Sequence, residues 1–389
     1  MKRVIRVKLQ PDAAAADSLK RTLSTCNEAA DFAARAYREQ KAEGKRTLQR
    51  MIYPELKARG LSAQPALLVI SKVAGAYATL SANLKAGNYG KKDSDRCKAI
   101  ESKSVTFRPT AAQPFDDRCL SWQHQARTVS IWSIDGRLKN VPFTGKPEHL
   151  ALLASNRKGE TDLMFEGGNY YLLATIDEPA PEILDPVGFI GVDLGIVNIA
   201  TTSTGQNWSG GAVTAKRKHS QRLRTELQAK GTKSAKRKLK KRSKTESRFV
   251  TDTNHRISKK IVTEAQRTGR GIALEILTGI RERARLRKPQ RVALHSWAFA
   301  QLGAFITYKA LAAGVPVLFV DPAYTSQECS APACGYIDKK NRRNQAEFVC
   351  LKCGTSLGAD ENASVNICVR GEDLWAVISC PNGDQANPA

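Results

Sequence analysis

The chain has 389 residues, with 62 Lys and Arg against 37 Asp and Glu and a formal net charge of +25. That length allows two or three domains with substantial cores and excludes a disulfide-stapled miniprotein, while the charge excess calls for a polyanion, nucleic acid ahead of an anionic membrane. No uncharged apolar run approaches the roughly 18–20 residues that span a bilayer, and Lys2–Leu9 is too short and too charged for a secretory signal, so a cytoplasmic protein with no membrane partner is expected.

Val4, Ile5, Val7 and Leu9 predict a strand ended by Gln10-Pro11-Asp12. From Asp17 to about Lys85 the sequence is rich in Ala and Leu and predicts several helices, with Asp17 or Ser18 as the first cap and breaks at Tyr53-Pro54, Gly60 and Gln64-Pro65. Between Ser104 and Ile176, short runs such as Ser104–Phe107, Thr128–Trp132 and Tyr170–Ile176 alternate with turn signals at Asp135-Gly136 and Gly167-Gly168-Asn169. A β-barrel-like domain with a helical insertion after its first strand accounts for this order. Asp177–Pro186, with three prolines and four acids, reads as a linker.

Beyond it the pattern becomes α/β. Phe189–Asp193, Ile199–Thr202, Trp208–Val213, Gly271–Ile276 and Val315–Val320 read as strands, and Pro289–Ala313 as a helix. Asp193, Glu275 and Asp360 each end or follow an apolar run, where a carboxylate is costly unless solvated, paired or bound to a metal. Convergence on two hard divalent cations, with water and phosphate completing their shells, is nuclease chemistry.

The cysteines form Cys329-x4-Cys334 and Cys350-x2-Cys353, fifteen residues apart, with Gly335 and Gly354 after the second member of each pair. Paired knuckles of this kind make a closed tetrahedral site for one structural Zn²⁺. Cys26, Cys97, Cys119, Cys368 and Cys380 are scattered and read as reduced thiols, and the five histidines show no HxH or HExxH pairing. From Lys216 to Arg248 the chain carries Lys216, Arg217, Lys236, Arg237, Lys240, Lys241 and Arg242 among other cations, against only Glu226 and Glu246. Like charges at helical neighbours repel, so the density points to a phosphate backbone. Arg281 and Arg283 follow Glu275 closely enough to hold phosphates near the same centre.

Four of these segments together resemble the TnpB family of transposon-encoded RNA-guided DNA endonucleases, related to the compact type V CRISPR effectors. They are Gly191-Val192-Asp193-Leu194-Gly195-Ile196-Val197-Asn198, Ala273-Leu274-Glu275 with Gly279-Ile280-Arg281, Thr325-Ser326-Gln327 before the cysteines, and Ala359-Asp360-Glu361-Asn362-Ala363-Ser364-Val365-Asn366-Ile367. The first cysteine pair departs from the family, which usually has two intervening residues.

The resemblance implies a multidomain α+β protein. Residues 1–10 and 91–180 would form a β-barrel-like wedge domain and 11–90 a helical recognition insertion. An RNase H-like (RuvC) α/β nuclease domain would occupy 181–324 and 358–371, with an inserted zinc ribbon at 325–357; residues 372–389 lie beyond the resemblance and read by themselves as a disordered tail. The resemblance also implies Asp193, Glu275 and Asp360 as a catalytic triad holding two Mg²⁺, or Mn²⁺, ions, and a guide RNA and target DNA as partners; the sequence leaves the oligomeric state open, with a monomer favoured. The rival readings are a compact type V CRISPR effector, an RNA-guided repressor that binds DNA without cutting it, and a strand-joining transposase.

Overall fold

The computed structural model describes residues 1–277 and 299–379. The chain is a multidomain α+β protein that divides into two compact units, Met1–Pro179 and the residues from Ala180 onward.

In the first unit β1 (Lys2–Leu9) buries Ile5, Val7 and Leu9 with the period of two that a half-buried strand requires. Four helices follow: α1 (Ala13–Glu39), α2 (Gly44–Ala58), α3 (Ala63–Lys85) and α4 (Asp95–Ser102). The cap of α1 is Asp12, which accepts from the Ala15 amide at 2.7 Å. Ser18, expected near the cap, is instead buried and donates to Ser133 Oγ at 2.8 Å. Pro54 lies inside α2 without ending it, and Gly60, at φ +87°, makes the break.

By length and composition α3 is the one described helix able to cross a membrane. Its Ala66, Val69, Ile70, Val73 and Tyr77 nevertheless lie in a core shared with α1 and α2. Midway along it, Lys72 donates to Asn27 Oδ1 at 2.6 Å and Gln113 Oε1 at 3.3 Å.

The strands of this unit continue as β2 (Gln113–Phe115), β3 (Leu120–Gln123), β4 (Thr128–Ser133), β5 (Gly136–Thr144), then α5 (Pro147–Asn156), β6 (Arg157–Glu166) and β7 (Asn169–Asp177). They join β1 in a seven-stranded antiparallel sheet of order β2-β6-β7-β1-β5-β4-β3. Gly167 and Gly168, at φ +59° and +81°, supply the two left-handed residues of the tight β6–β7 hairpin. The order has two ends, so the ladder is not a closed barrel. The sheet is curled, however: Phe115 of β2 lies 6.4 Å from Trp132 of β4, and one core serves strands from both ends. Ser104–Phe107 forms no strand; Val105 and Phe107 pack on the helical core instead.

The second unit comprises β8 (Phe189–Asp193), β9 (Asn198–Thr202), β10 (Asn207–Ser209), α6 (Gly211–Lys230), α7 (Lys233–Arg242), α8 (Thr245–Arg267), β11 (Gly271–Glu275), α9 (Phe299–Ala312), β12 (Val317–Val320), β13 (Glu347–Val349), β14 (Ser356–Gly358) and α10 (Ala359–Ser379). Its sheet has the order β10-β9-β8-β11-β12. β8, β11 and β12 are parallel, β9 runs against β8, and β10 runs against β9.

Alternation divides the sheet between two helical layers. Ile190, Val192, Ile272 and Leu274 join Ile257 and Ile261 of α8 and Leu302 and Ile306 of α9 in one core. Phe189, Ala273 and Val320 meet Ile367 of α10 in another. The strand expected to reach Val213 stops at Ser209, because α6 begins at Gly211. Residues 372–379, expected as part of a disordered tail, are helical, with Trp375 lying 5.9 Å from Phe189.

Candidate active site

Asp193 and Glu275 close two neighbouring parallel strands. Their ladder pairs Ala273 with Gly191 and Leu274 with Val192, so the two acids are the next residues on strands roughly 4.8 Å apart. Both continue the alternation that sends Gly191 and Ala273 toward α10. Asp360 lies in the first turn of that helix. The helix lies directly on β8: a methyl at Gly191 would overlap the Ser364 carbonyl oxygen and the Cys368 amide, and one at Gly371 would come 2.6 Å from Ala273 Cβ. Glycine at these positions is what lets Asp360 reach the C-terminal edge of the sheet, where open α/β sheets bind their ligands.

The carboxylates sense one another. Burial, followed by the charges of Glu275 and Asp360, pushes Asp193 up to about 7, with Arg342 opposing. Burial also raises Glu275, against a hydrogen bond from Thr325 and the charge of Arg370. Asp193, Glu275 and Arg342 line one open cleft with Asp321, Thr325, Ser326 and Gln327.

Several residues that position these acids escape a reading of the sequence. Asn198 Nδ2 donates to Asp360 Oδ2 at 2.8 Å, and Arg342 Nη2 lies 3.2 Å from Asp360 Oδ1. Thr325 Oγ1 donates to Glu275 Oε1 at 2.5 Å. The loop carrying Thr325 is tied to α10: Asn366 Nδ2 donates to the Thr325 and Glu328 carbonyls, both at 2.8 Å, and Arg370 donates to the carbonyls of Asp321 and Ala323. Asp321 follows β12 as Asp193 and Glu275 end their strands, so the signal that marked those two, an acid after an apolar run, applies to it as well.

The four cysteines of the two knuckles converge. Cys329, Cys334, Cys350 and Cys353 place their sulfurs within 4.8 Å of one another, a set that can hold a metal ion. Cys329 and Cys353 are 3.6 Å apart, and Cys334 and Cys350 3.7 Å. Four residues fit between the first pair because Ala333 and Gly335, at φ +61° and +53°, fold the longer knuckle back. Phe348, fully buried beside Cys329 and Cys350, makes the small core of the module.

The basic run occupies α6, α7 and the start of α8. Lys236, Arg237, Lys240 and Lys241 are exposed on α7. Arg242 is half-buried in a cleft that also takes Arg217 and Arg224. Arg217 lies 3.6 Å from Glu246, and Lys216 sits over the Phe249 ring at 5.8 Å, so these two cations also serve the fold. Arg281 and Arg283 lie outside the described residues.

Comparison with known proteins brings a family to this geometry. Residues 174–273 match the OrfB_IS605 family, described as "Probable transposase", and residues 299–367 match the Cas12f1-like TNB domain. The chain is 44% identical over 126 residues to the CRISPR-associated endodeoxyribonuclease Cas12f1 of Sulfoacidibacillus thermotolerans, covering 32% of this chain and 28% of that protein. It is 34% identical over 142 residues to a TnpB-like protein of Methanocaldococcus jannaschii, covering 36% and 50%. These alignments thus span half or less of the length of either relative. Among solved structures, a Cas12f1–sgRNA–target DNA complex aligns over 95% of this chain and 99% of that one, at 15% identity and a TM-score of 0.39. Both domain families are thus matched, and the relatives the chain resembles include Cas12f and TnpB-like proteins.

Proposed function

We propose that the protein is an RNA-guided, metal-dependent DNA endonuclease whose RuvC-like, RNase H-type domain is built on the five-stranded sheet, with Asp193, Glu275 and Asp360 as its catalytic acids. The observation that carries this reading is the placement of Asp193 and Glu275 at neighbouring strand ends with Asp360 near enough that, after burial, the charges of Glu275 and Asp360 help push Asp193 up to about 7. Such a set is unfavourable by itself and is relieved by cations. Its donors are all hard oxygens, which fit Mg²⁺ or Mn²⁺. Two such ions, when bound, supply an activated water and neutralise charge at the leaving 3′ oxygen.

The chain's own residues do the rest. Strand ends hold Asp193 and Glu275 rigidly, Thr325 fixes the orientation of Glu275, and Asn198 with Arg342 fixes that of Asp360. Arg342, with only part of its donor set on Asp360, presents a cation to a phosphate in the cleft. The lysines of α7 bind the nucleic-acid backbone without reading bases, which leaves sequence recognition to a guide RNA. The four thiols suit one Zn²⁺: sulfurs 3.6–3.7 Å apart come close to the roughly 3.8 Å set by tetrahedral bonds of about 2.3 Å. That module would be structural, with no position open for substrate.

The Cas12f relatives keep a CRISPR effector as the second reading, since the same site serves either genomic setting. Reprogramming tests the function. Changing the targeting segment of the bound RNA should move cleavage to the newly matched DNA, with mismatches beside the flanking motif hurting most. Selective cutting by RNA-free protein, unmoved by any guide, would overturn the reading.

A further inference from the structure

At the rim of the carboxylate cleft one aromatic residue is held in an unusual backbone state. Tyr324 has φ +64°, and among the described residues it is the one aromatic side chain in the left-handed region. A bulky residue pays for that conformation, which glycine adopts freely. Nothing in the local packing accounts for its choice: the side chain is 58% exposed, and among the described residues no ring or cation stacks on it.

The backbone around it is tightly specified. The Tyr324 carbonyl accepts from the amides of Gln327 and Glu328 at 2.8 and 2.9 Å. Arg370 holds the carbonyl of Ala323, and Asn366 that of Thr325, each at 2.8 Å. The next residue, Thr325, is the one that bonds Glu275. The residues on both sides of Tyr324 line the cleft, while Tyr324 itself is exposed and not among the lining residues. Strain kept by surrounding hydrogen bonds, one residue from the partner of a proposed catalytic acid, is of the kind that clusters at active sites.

We propose that Tyr324 is a stacking platform for a nucleobase of a single DNA strand passing the carboxylate cluster. Every base offers a π-face, so such a platform steadies a strand without selecting its sequence, and it does so beside the point of cutting. The proposal rests on the nuclease reading and adds to it a residue that positions substrate.

The test uses the full chain as purified with its RNA, without added divalent ion, and a single-stranded DNA oligonucleotide carrying 2-aminopurine. Tyr324→Phe should retain both affinity and the quenching of 2-aminopurine. Tyr324→Gly and Tyr324→Asn, which suit the left-handed backbone, should keep or raise the thermal midpoint yet bind about tenfold more weakly and lose the quenching. The salt dependence of binding should not change, because no phosphate contact is removed. Wild-type affinity and quenching in Tyr324→Gly would overturn the proposal, as would a loss of affinity accompanied by a flattened salt dependence. Cutting by the parent with normal binding by Tyr324→Gly would remove the platform and leave the nuclease. Loss of quenching in Tyr324→Gly, with no cutting by the parent on guide-matched DNA, would remove the nuclease and leave the platform.

Discussion

Gly191 of β8 and Ser364 of α10 meet backbone to backbone, and a methyl group on Gly191 would overlap the Ser364 carbonyl oxygen. This contact sets how far Asp360 reaches over the sheet. Gly191→Ala should therefore destabilise the second unit by about 1–3 kcal/mol. It should lower DNA cleavage more than the loss of folded protein explains, because Asp360 is displaced from Asp193 and Glu275. Gly303→Ala is the control: the added methyl meets nothing within 4 Å among the described residues beyond its own helix and should be neutral or stabilise by about 1 kcal/mol. Urea unfolding read beside cleavage separates the two effects, and an unchanged midpoint in Gly191→Ala would show that the helix yields.

Metal content tests the cysteine module. Purified protein should carry one zinc per chain, and Cys350→Ser or Cys353→Ser should lose it and unfold the module locally, since metal binding supplies much of the folding energy of such units. Elemental analysis decides; an unchanged zinc content in Cys353→Ser would remove that residue from the site.

Lys72 gives the first unit a pH dependence of known sign. Burial lowers its pKa from 10.5 to about 8. Between those values the unfolded chain binds more protons than the folded one, so stability rises with pH through that window. The full shift corresponds to about 3 kcal/mol. The stability difference between wild type and Lys72→Met should move toward the wild type as pH rises from 8 to 10.5. A difference flat across that range would mean that Asn27 and Gln113 leave Lys72 with an ordinary titration.

The basic helices should act through phosphates. Lys240→Ala combined with Lys241→Ala should weaken nucleic-acid binding and reduce the salt slope by about one to two. The sequence that is cut should stay the same. A binding titration across salt concentrations checks this, and a changed cut site would assign these lysines to base readout.

The acids and cysteines were legible because their chemistry is local: a carboxylate after an apolar run, or thiols at knuckle spacing, carries its meaning within a few residues. Arg342 was not. Within Asn341-Arg342-Arg343 it resembles any solvated cation, and only the fold brings it to Asp360. Asn198 and Thr325 stood inside the quoted motifs, yet their roles depend on partners 162 and 50 residues away. The start of α1 was misplaced because an alanine run hides the boundary that Asp12 caps. Beyond Gly371, Leu374 and Trp375 read as isolated apolar residues until Phe189 is set against them.

The central claim is that Asp193, Glu275 and Asp360 form one metal-dependent cutting centre, and Asp193→Ala tests it most directly. With Mg²⁺ and guide-matched DNA, the variant should bind RNA and target like the parent, because no phosphate contact is lost, while cleavage falls by about a thousandfold or more, in line with removing a group that stabilises the transition state directly. Undiminished cleavage by Asp193→Ala under the same conditions would contradict the account.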